Sequence, residues 1–346
     1  MRAVRSRGVW IKGHFICKLE NLDLIYHGVV TTLLPVLDLA HAGVAQELRR
    51  ACEHDGFFYV ANHRVAPELS SKLRRAAETF FALPAEAKLA LHFEKASKQR
   101  GYIPLGAEST DPTAPSGHPD HKEALDFTFP IPPVGVSDPV AHRMCGENLW
   151  PSGIPQFRET IETYFDEMIR LGRVLFETIA VSFQLPRDYF HDKTDRPIAQ
   201  LRLLHYPSCE PHEEMTLGIG AHCDYECFTI LDPGEVGGLQ IQRNDEWFDV
   251  EIVSGTFVVN LGEMLARWTN DVFRATPHRV LNKSGKERFT IPFFFGTNYD
   301  TQIECLPSCC GPERPARYPP IQAGEYLAKR LNEVYGSLPG AGRLES

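Results

Sequence analysis

The stretch AHCDYECFTIL at 221–231 has the residue types and spacing for metal chemistry. Side chains alternate faces along a strand, so in an extended chain His222 and Asp224 point one way and Cys223 the other. One imidazole and one carboxylate on a common face are half of a metal site. A second histidine, His278, opens HRVLN at 278–282, and two or three intervening strands would return it to the first pair. Two His and one carboxylate on one side of an ion leave three adjacent positions open, which suits an Fe(II) that must admit O2 and a second reactant. A structural zinc would instead be closed by four protein ligands.

A second signal is Arg288-Phe289-Thr290, where a guanidinium and a hydroxyl share a strand face. Arg presents a planar fork that binds both oxygens of a carboxylate. Ten residues past His278, it can take the far end of an acid whose near end chelates the metal, and 2-oxoglutarate has that shape. The other reading of Arg288 is a structural ion pair with Glu287 or Asp300. Cys209, Cys223 and Cys227 lack the CxxC spacing of a zinc site, and Cys223 and Cys227 read as apolar packing groups.

The chain around these residues has 346 positions, 43% hydrophobic and 23% charged, with a net charge of −9. That is the composition of a globular protein able to bury a sizeable core. No Lys/Arg run is present, so neither nucleic acid nor an anionic membrane is expected as partner. Nine cysteines at irregular spacing argue against a secreted disulfide framework and for free thiols in the cytoplasm. No apolar run approaches the ~20 residues of a membrane helix. Residues 1–32, basic at first, read as an irregular leader.

Elements to position the site can be read from periodicity. LPVLDL (34–39) and FFYVAN (57–62) are predicted strands, 43–55 a helix, and Pro67 opens a helix through Phe81. Residues 100–155 read as a long loop region rich in Pro, Gly and Asp. Apolar residues at spacings of three and four, from Phe157 to Ile179, predict a long helix over 155–184. After Pro186 come β-forming runs at 200–206, 218–231, 238–242, 247–252, 255–262, 278–282 and 288–296, then a helix over about 322–335. Short strands separated by turns predict an antiparallel sandwich or barrel. GIG at 218–220 lacks the third glycine and the following helix of a dinucleotide loop.

In the order and spacing of LPVLDLA, DGFFYVANH, RGYIPLG, LRLLHYP, GIGAHCDYECFTIL, FVVNLGEML, ATPHRV and ERFTIPFFF, the chain resembles the 2-oxoglutarate/Fe(II)-dependent oxygenases of the isopenicillin N synthase-like superfamily. The resemblance implies a mainly β fold, a double-stranded β-helix (jelly roll) with flanking helices. It divides the chain into a leader (1–32), an N-terminal dioxygenase region (33–155), a long helix and connection (156–196), a jelly-roll core (197–300) and a C-terminal segment with a helix (301–346). It implies Fe(II) on His222, Asp224 and His278, and 2-oxoglutarate on Arg288 and Thr290, with Thr in place of the family's usual Ser. Tyr206 is expected to hydrogen-bond the co-substrate. O2 is the oxidant, with ascorbate a candidate reductant.

The implied activity is hydroxylation, desaturation or cyclisation of a small molecule with release of succinate and CO2, by a monomer. Tyr102, Phe127, Leu203 and Phe295 are expected, by position, in the substrate pocket. Two alternatives stand beside this reading. One is a 2-oxoglutarate-independent oxidase of the same superfamily; the other is a non-catalytic, metal-stabilised binding protein.

Overall fold

The computed structural model describes residues 33–95, 100–110, 119–128, 147–209 and 217–335, with the backbone of three short strands between residues 8 and 23. Those are β1 (Gly8–Ile11), β2 (His14–Leu19) and β3 (Leu22–Asp23), paired antiparallel, so part of the leader is a small meander and not irregular. Then follow β4 (Val36–Asp38), α1 (Val44–His54), β5 (Phe57–Ala61), α2 (Pro67–Phe81), α3 (Ala85–Leu89), β6 (Gly101–Ile103), β7 (Glu123–Thr128) and α4 (Phe157–Ser182). The second half contains β8 (Ala199–Tyr206), β9 (Leu217–His222), β10 (Phe228–Asp232), β11 (Leu239–Arg243), β12 (Glu246–Asp249), β13 (Phe257–Leu261), α5 (Glu263–Trp268), β14 (His278–Leu281) and β15 (Arg288–Phe295). The chain closes on β16 (Gln302–Ile303), β17 (Ile321–Gln322) and α6 (Ala323–Tyr335).

Eight strands form one sheet in the order β4-β5-β13-β10-β15-β8-β7-β6, and four form another, β12-β11-β14-β9. The two face each other. Ile103, Ala124, Leu204 and Tyr206 of the large sheet pack with Ile219 and Val280 of the small one. Farther along, Phe57, Tyr59 and Val258 pack with Leu239 and Ile241. This is the jelly-roll sandwich, and the space between its sheets holds the site.

The other face of the large sheet carries the main apolar core. Leu201, Leu203, Ile230, Val259, Phe293 and Phe295 meet Ile161, Met168, Leu175 and Phe176 of α4, all buried. The helix forms because its apolar residues recur on one stripe. Gly172 lets it approach closely: a Cβ there would run into the Phe295 ring.

The predicted helices and most strands are present, with three corrections. The region 100–155 is not all loop, since β6 and β7 extend the large sheet. β7 (EALDFT) looks like loop because it carries Glu123 and Asp126, yet both are buried and paired, Glu123 with Lys88 and His205, Asp126 with Arg202. Parts of that region, 111–118 and 129–146, lie outside the described residues. The run 218–231 breaks at 223–227 into β9 and β10, and four strands, not two or three, separate His222 from His278 in sequence.

Candidate metal centre and co-substrate site

β9 and β14 are neighbours in the small sheet, and His222 and His278 are direct cross-strand partners. Their rings are 4.4 Å apart by centroid. Asp224 lies beyond the end of β9, so strand alternation alone does not place it. The loop is fixed instead by the start of α5: the N–H groups of Gly262, Glu263 and Met264 donate to the carbonyls of Cys227, Asp224 and Tyr225 at 2.8–3.2 Å. The structure nonetheless brings the three side chains together. Asp224 Oδ1 stands 3.6 Å from Nε2 of both His222 and His278. Among the described residues this is the one group of three or more His, Cys, Asp or Glu side chains whose ligand atoms converge, all within 4.8 Å of one another.

The neighbours leave the right atoms available. His222 Nδ1 bonds the Gly220 carbonyl at 2.8 Å and His278 Nδ1 the Thr276 carbonyl at 3.2 Å. A carbonyl only accepts, so each Nδ1 carries a proton, and each Nε2 is the atom left to face a metal. Asp224 Oδ2 accepts from Thr229 Oγ1 and from Asn260 Nδ2, the latter at 2.6 Å, which leaves Oδ1 to face the imidazoles. Burial raises the Asp224 pKa, but His278, His222 and these two hydrogen bonds outweigh it and hold the group below the usual carboxylate range. Burial, followed by His222, keeps His278 below its ordinary value and neutral. An ionised Asp224 and a neutral His278 are the protonation states a divalent ion requires of them.

Cys223 faces the other way. It lines an outer cleft with Glu263, Thr276 and Pro277, and its thiol is pushed up to about 12 by burial, then by Glu263 and Asp224. It stays protonated and takes no part in the cluster.

Arg288 and Tyr206 are cross-strand partners at one end of the large sheet, and Thr290 pairs with Leu204 two residues on, so Arg288, Thr290 and Tyr206 share the inner face. Arg288 is 2% exposed. Its Nε donates to the Val236 carbonyl at 3.0 Å, and its guanidinium sits 4.6 Å from the centre of the Tyr206 ring. Its Nη1 is buried and has no hydrogen-bond partner. Glu287 bonds His205 and Asp300 pairs with Arg196, so the ion pairs weighed for Arg288 are not formed. A buried guanidinium with an unused donor fits an incoming carboxylate. The donor set of two imidazoles and one carboxylate likewise fits Fe(II) with open positions.

The four residues expected in the substrate pocket are placed elsewhere. Tyr102, Phe127, Leu203 and Phe295 all belong to the core between the large sheet and the helices. Tyr102 donates to Glu123 at 2.5 Å, and Phe127 stacks on Trp150. Alternation explains the miss. If Tyr206 and Thr290 face inward, then Leu203 and Phe295, an odd number of residues away, face outward. Their inward neighbours are Arg202 and Leu204 on β8 and Phe294 on β15, which the same rule would have selected.

With this geometry in view, comparison with known proteins is informative. Residues 34–153 match the family described as non-haem dioxygenase in morphine synthesis N-terminal, and residues 197–297 match the 2OG-Fe(II) oxygenase superfamily. The chain is 36% identical over 325 residues to a 2-oxoglutarate-Fe(II) type oxidoreductase, hxnY, of Emericella nidulans, covering 88% of this chain and 91% of that protein. It is 35% identical over 297 residues to homoarginine-6-hydroxylase 2-ODD-233 of Oryza sativa subsp. japonica, covering 83% and 88%. A solved 2OG-Fe(II) oxygenase family protein from Caulobacter crescentus superposes with a TM-score of 0.78 at 33% identity, over 88% of this chain and 100% of that one. A full-length Neurospora crassa protein, solved in complex with alpha-KG and thymine, gives 0.75 at 26%, over 86% and 96%.

The chain belongs to the 2-oxoglutarate/Fe(II)-dependent oxygenase superfamily. It is an oxidoreductase that uses Fe(II), 2-oxoglutarate and O2 on a small-molecule substrate.

Proposed function

We propose that His222, Asp224 and His278 hold the iron, and that Arg288, Thr290 and Tyr206 receive 2-oxoglutarate. When bound, the iron and the 2-keto acid together supply O2 activation, with succinate and CO2 released as the substrate is hydroxylated, desaturated or cyclised. The protein's part is to hold and orient. The Gly220 and Thr276 carbonyls fix the two imidazoles, and Thr229 with Asn260 fixes the carboxylate. Phe57 packs edge-on against His278, with ring centroids 5.5 Å apart, and helps keep water from that side.

The observation that carries the co-substrate assignment is the buried Arg288 with its unpartnered Nη1. Leaving such a donor unpaired costs about 1–3 kcal/mol, which a bound carboxylate recovers. Thr290 and Tyr206 support the same reading, since both lie beside the guanidinium on the inner face. The chain is further read as a cytoplasmic monomer. Seven free cysteines among the described residues support a reducing compartment, and no described helix is long and apolar enough to cross a membrane.

Anaerobic addition of Fe(II) and 2-oxoglutarate, followed by O2 and a panel of small molecules, tests the reading. Bound 2-oxoglutarate and stoichiometric succinate are expected, and Arg288→Ala should weaken 2-oxoglutarate binding so that levels saturating the wild type leave most of the variant unoccupied. Oxygen uptake without 2-oxoglutarate binding would assign the chain to the oxidases that dispense with it.

A further inference from the structure

The inner face of the large sheet carries charge that neither the metal cluster nor the co-substrate site uses. Cross-strand register aligns Asn260, Thr229, Phe294, Gln200 and Thr128 in one row across β13, β10, β15, β8 and β7. Thr229 and Asn260 both hold Asp224, so this row runs at the level of the triad. At its far end the Thr128 hydroxyl is buried without a partner.

After Phe294, the next inward position on that chain is Gly296. A Cβ there would lie 3.0 Å from the Ile198 carbonyl oxygen and 3.8 Å from Cγ of Glu226. The missing side chain at 296 therefore leaves the space against which Glu226 packs. Glu226 is two residues past Asp224 and half-buried, and its side chain packs against the inward position left open at Gly296. Among the described residues its carboxylate forms no side-chain hydrogen bond and no ion pair, and the charge of Arg202 acts on it only from a distance.

No nearby cation is spare. Arg202, which lies inward on β8, gives Nε to Asp126 at 2.8 Å and Nη2 to Glu108 at 3.0 Å. Lys122 is paired with Glu108 and Asp120. That buried network already holds three acids to two bases. A half-buried carboxylate without a cation is costly, and the cost is removed when a ligand brings the opposite charge.

We propose that Glu226 is the substrate-anchoring residue, and that the substrate carries a cationic nitrogen group (an ammonium, amidinium or guanidinium) that pairs with it while the carbon to be oxidised lies at the metal. The inference rests on the metal and co-substrate assignment above. It predicts a small, charged, nitrogen-bearing substrate and not an apolar one.

The test uses the full-length protein loaded anaerobically with Fe(II) and 2-oxoglutarate. The visible absorption of a 2-keto acid chelated to Fe(II) is followed as cadaverine, agmatine or (4-hydroxybutyl)urea is added. (4-Hydroxybutyl)urea matches agmatine in shape but replaces the guanidinium by a neutral urea and the ammonium by a hydroxyl. At least one of the two cations should perturb the absorption, with (4-hydroxybutyl)urea weaker than agmatine by 30-fold or more. Glu226→Gln should weaken the cation by a similar factor, and Glu226→Asp should restore part of it. The starting absorption should form equally in wild type and both variants, which shows that they fold and bind iron and co-substrate. Absence of that absorption in the wild type overturns the metal and co-substrate assignment. With the absorption present, the anchoring role is overturned if neither cation perturbs it, if the neutral probe binds as tightly as agmatine, or if Glu226→Gln binds the cation as tightly as the wild type.

Discussion

The two faces of the eight-stranded sheet are built from alternate residues of the same strands, yet they obey different physics. The outward face is apolar over most of its area: Leu201, Leu203, Phe293 and Phe295 close on α4, Gly172 lets the layers meet, and the buried Glu123, His205 and Asp232 are confined to its margin, where each has a partner. The inward face is mixed: apolar patches such as Leu204 and Val258 meet the small sheet, and between them lie Thr229, Asn260, Arg202, Asp126, Arg288 and Thr290, almost all of them buried. Burial on one face gains from area removed from water. On the other it is tolerated only because each group has, or awaits, a partner. Stability and chemistry are thus separated by a period of two within single strands.

The sharpest way to break this separation is to remove a ligand on the inner side. Asp224→Ala is expected to abolish iron binding and lower turnover at least 1,000-fold, roughly 4 kcal/mol or more, while unfolding stays cooperative. Metal stoichiometry alongside a thermal melt checks it, and full turnover in the variant would refute the ligand assignment. Next is the outer face. Phe295→Ala should cost about 3–5 kcal/mol in urea unfolding, and the KM for 2-oxoglutarate should not change. A shifted KM with intact stability would mean that Phe295 faces the site after all.

Arg288→Ala should raise that KM by roughly 100-fold, about 2.7 kcal/mol, with Arg288→Lys recovering part because it restores charge without the fork. An unchanged KM would remove Arg288 from the co-substrate site. The smallest effect concerns Asp126, whose carboxyl is pushed up to about 6, by burial first and against the pull of Arg202. The native state then keeps this proton to higher pH than the unfolded chain does. The group's contribution is therefore fully present below about pH 4 and is lost as pH rises through 6, on the order of 1–3 kcal/mol. Urea unfolding between pH 4 and 6.5 should show that slope in the wild type and a flatter one in Asp126→Asn. Identical slopes would place Asp126 outside the ionised network.

Which parts were legible in the sequence follows from the same contrast. His222, Asp224, His278, Arg288 and Thr290 could be singled out because few residue types do such chemistry; the strand period puts Arg288 and Thr290 on one face, whereas Asp224 reaches the two histidines from a loop that the period does not describe. The substrate side was misread where that period was not carried along the chain: Tyr206 inward implies Arg202 inward and Leu203 outward, and Thr290 inward implies Phe294 inward and Phe295 outward. β7 was hidden for another reason. Its Glu123 and Asp126 look solvated until the partners Lys88, His205 and Arg202, from distant segments, are known. The break after His222 was equally hidden, because the hydrogen bonds that turn the loop come from Gly262, Glu263 and Met264 at the start of α5.

That staple has a consequence for which ion the protein carries. The carbonyls of Gly220 and Thr276, the Thr229 hydroxyl, the Asn260 amide and the first N–H groups of α5 hold the three proposed ligands through atoms other than those that face the metal. Loading then requires little rearrangement, and it also gives little discrimination, because a prebuilt set of two imidazoles and a carboxylate follows the general order in which Co(II), Ni(II) and Cu(II) bind more tightly than Fe(II). Iron occupancy is on this view a matter of supply: the protein takes the metal its compartment offers, and purification in the presence of nickel or cobalt should yield an inert enzyme that strong chelation followed by Fe(II) revives.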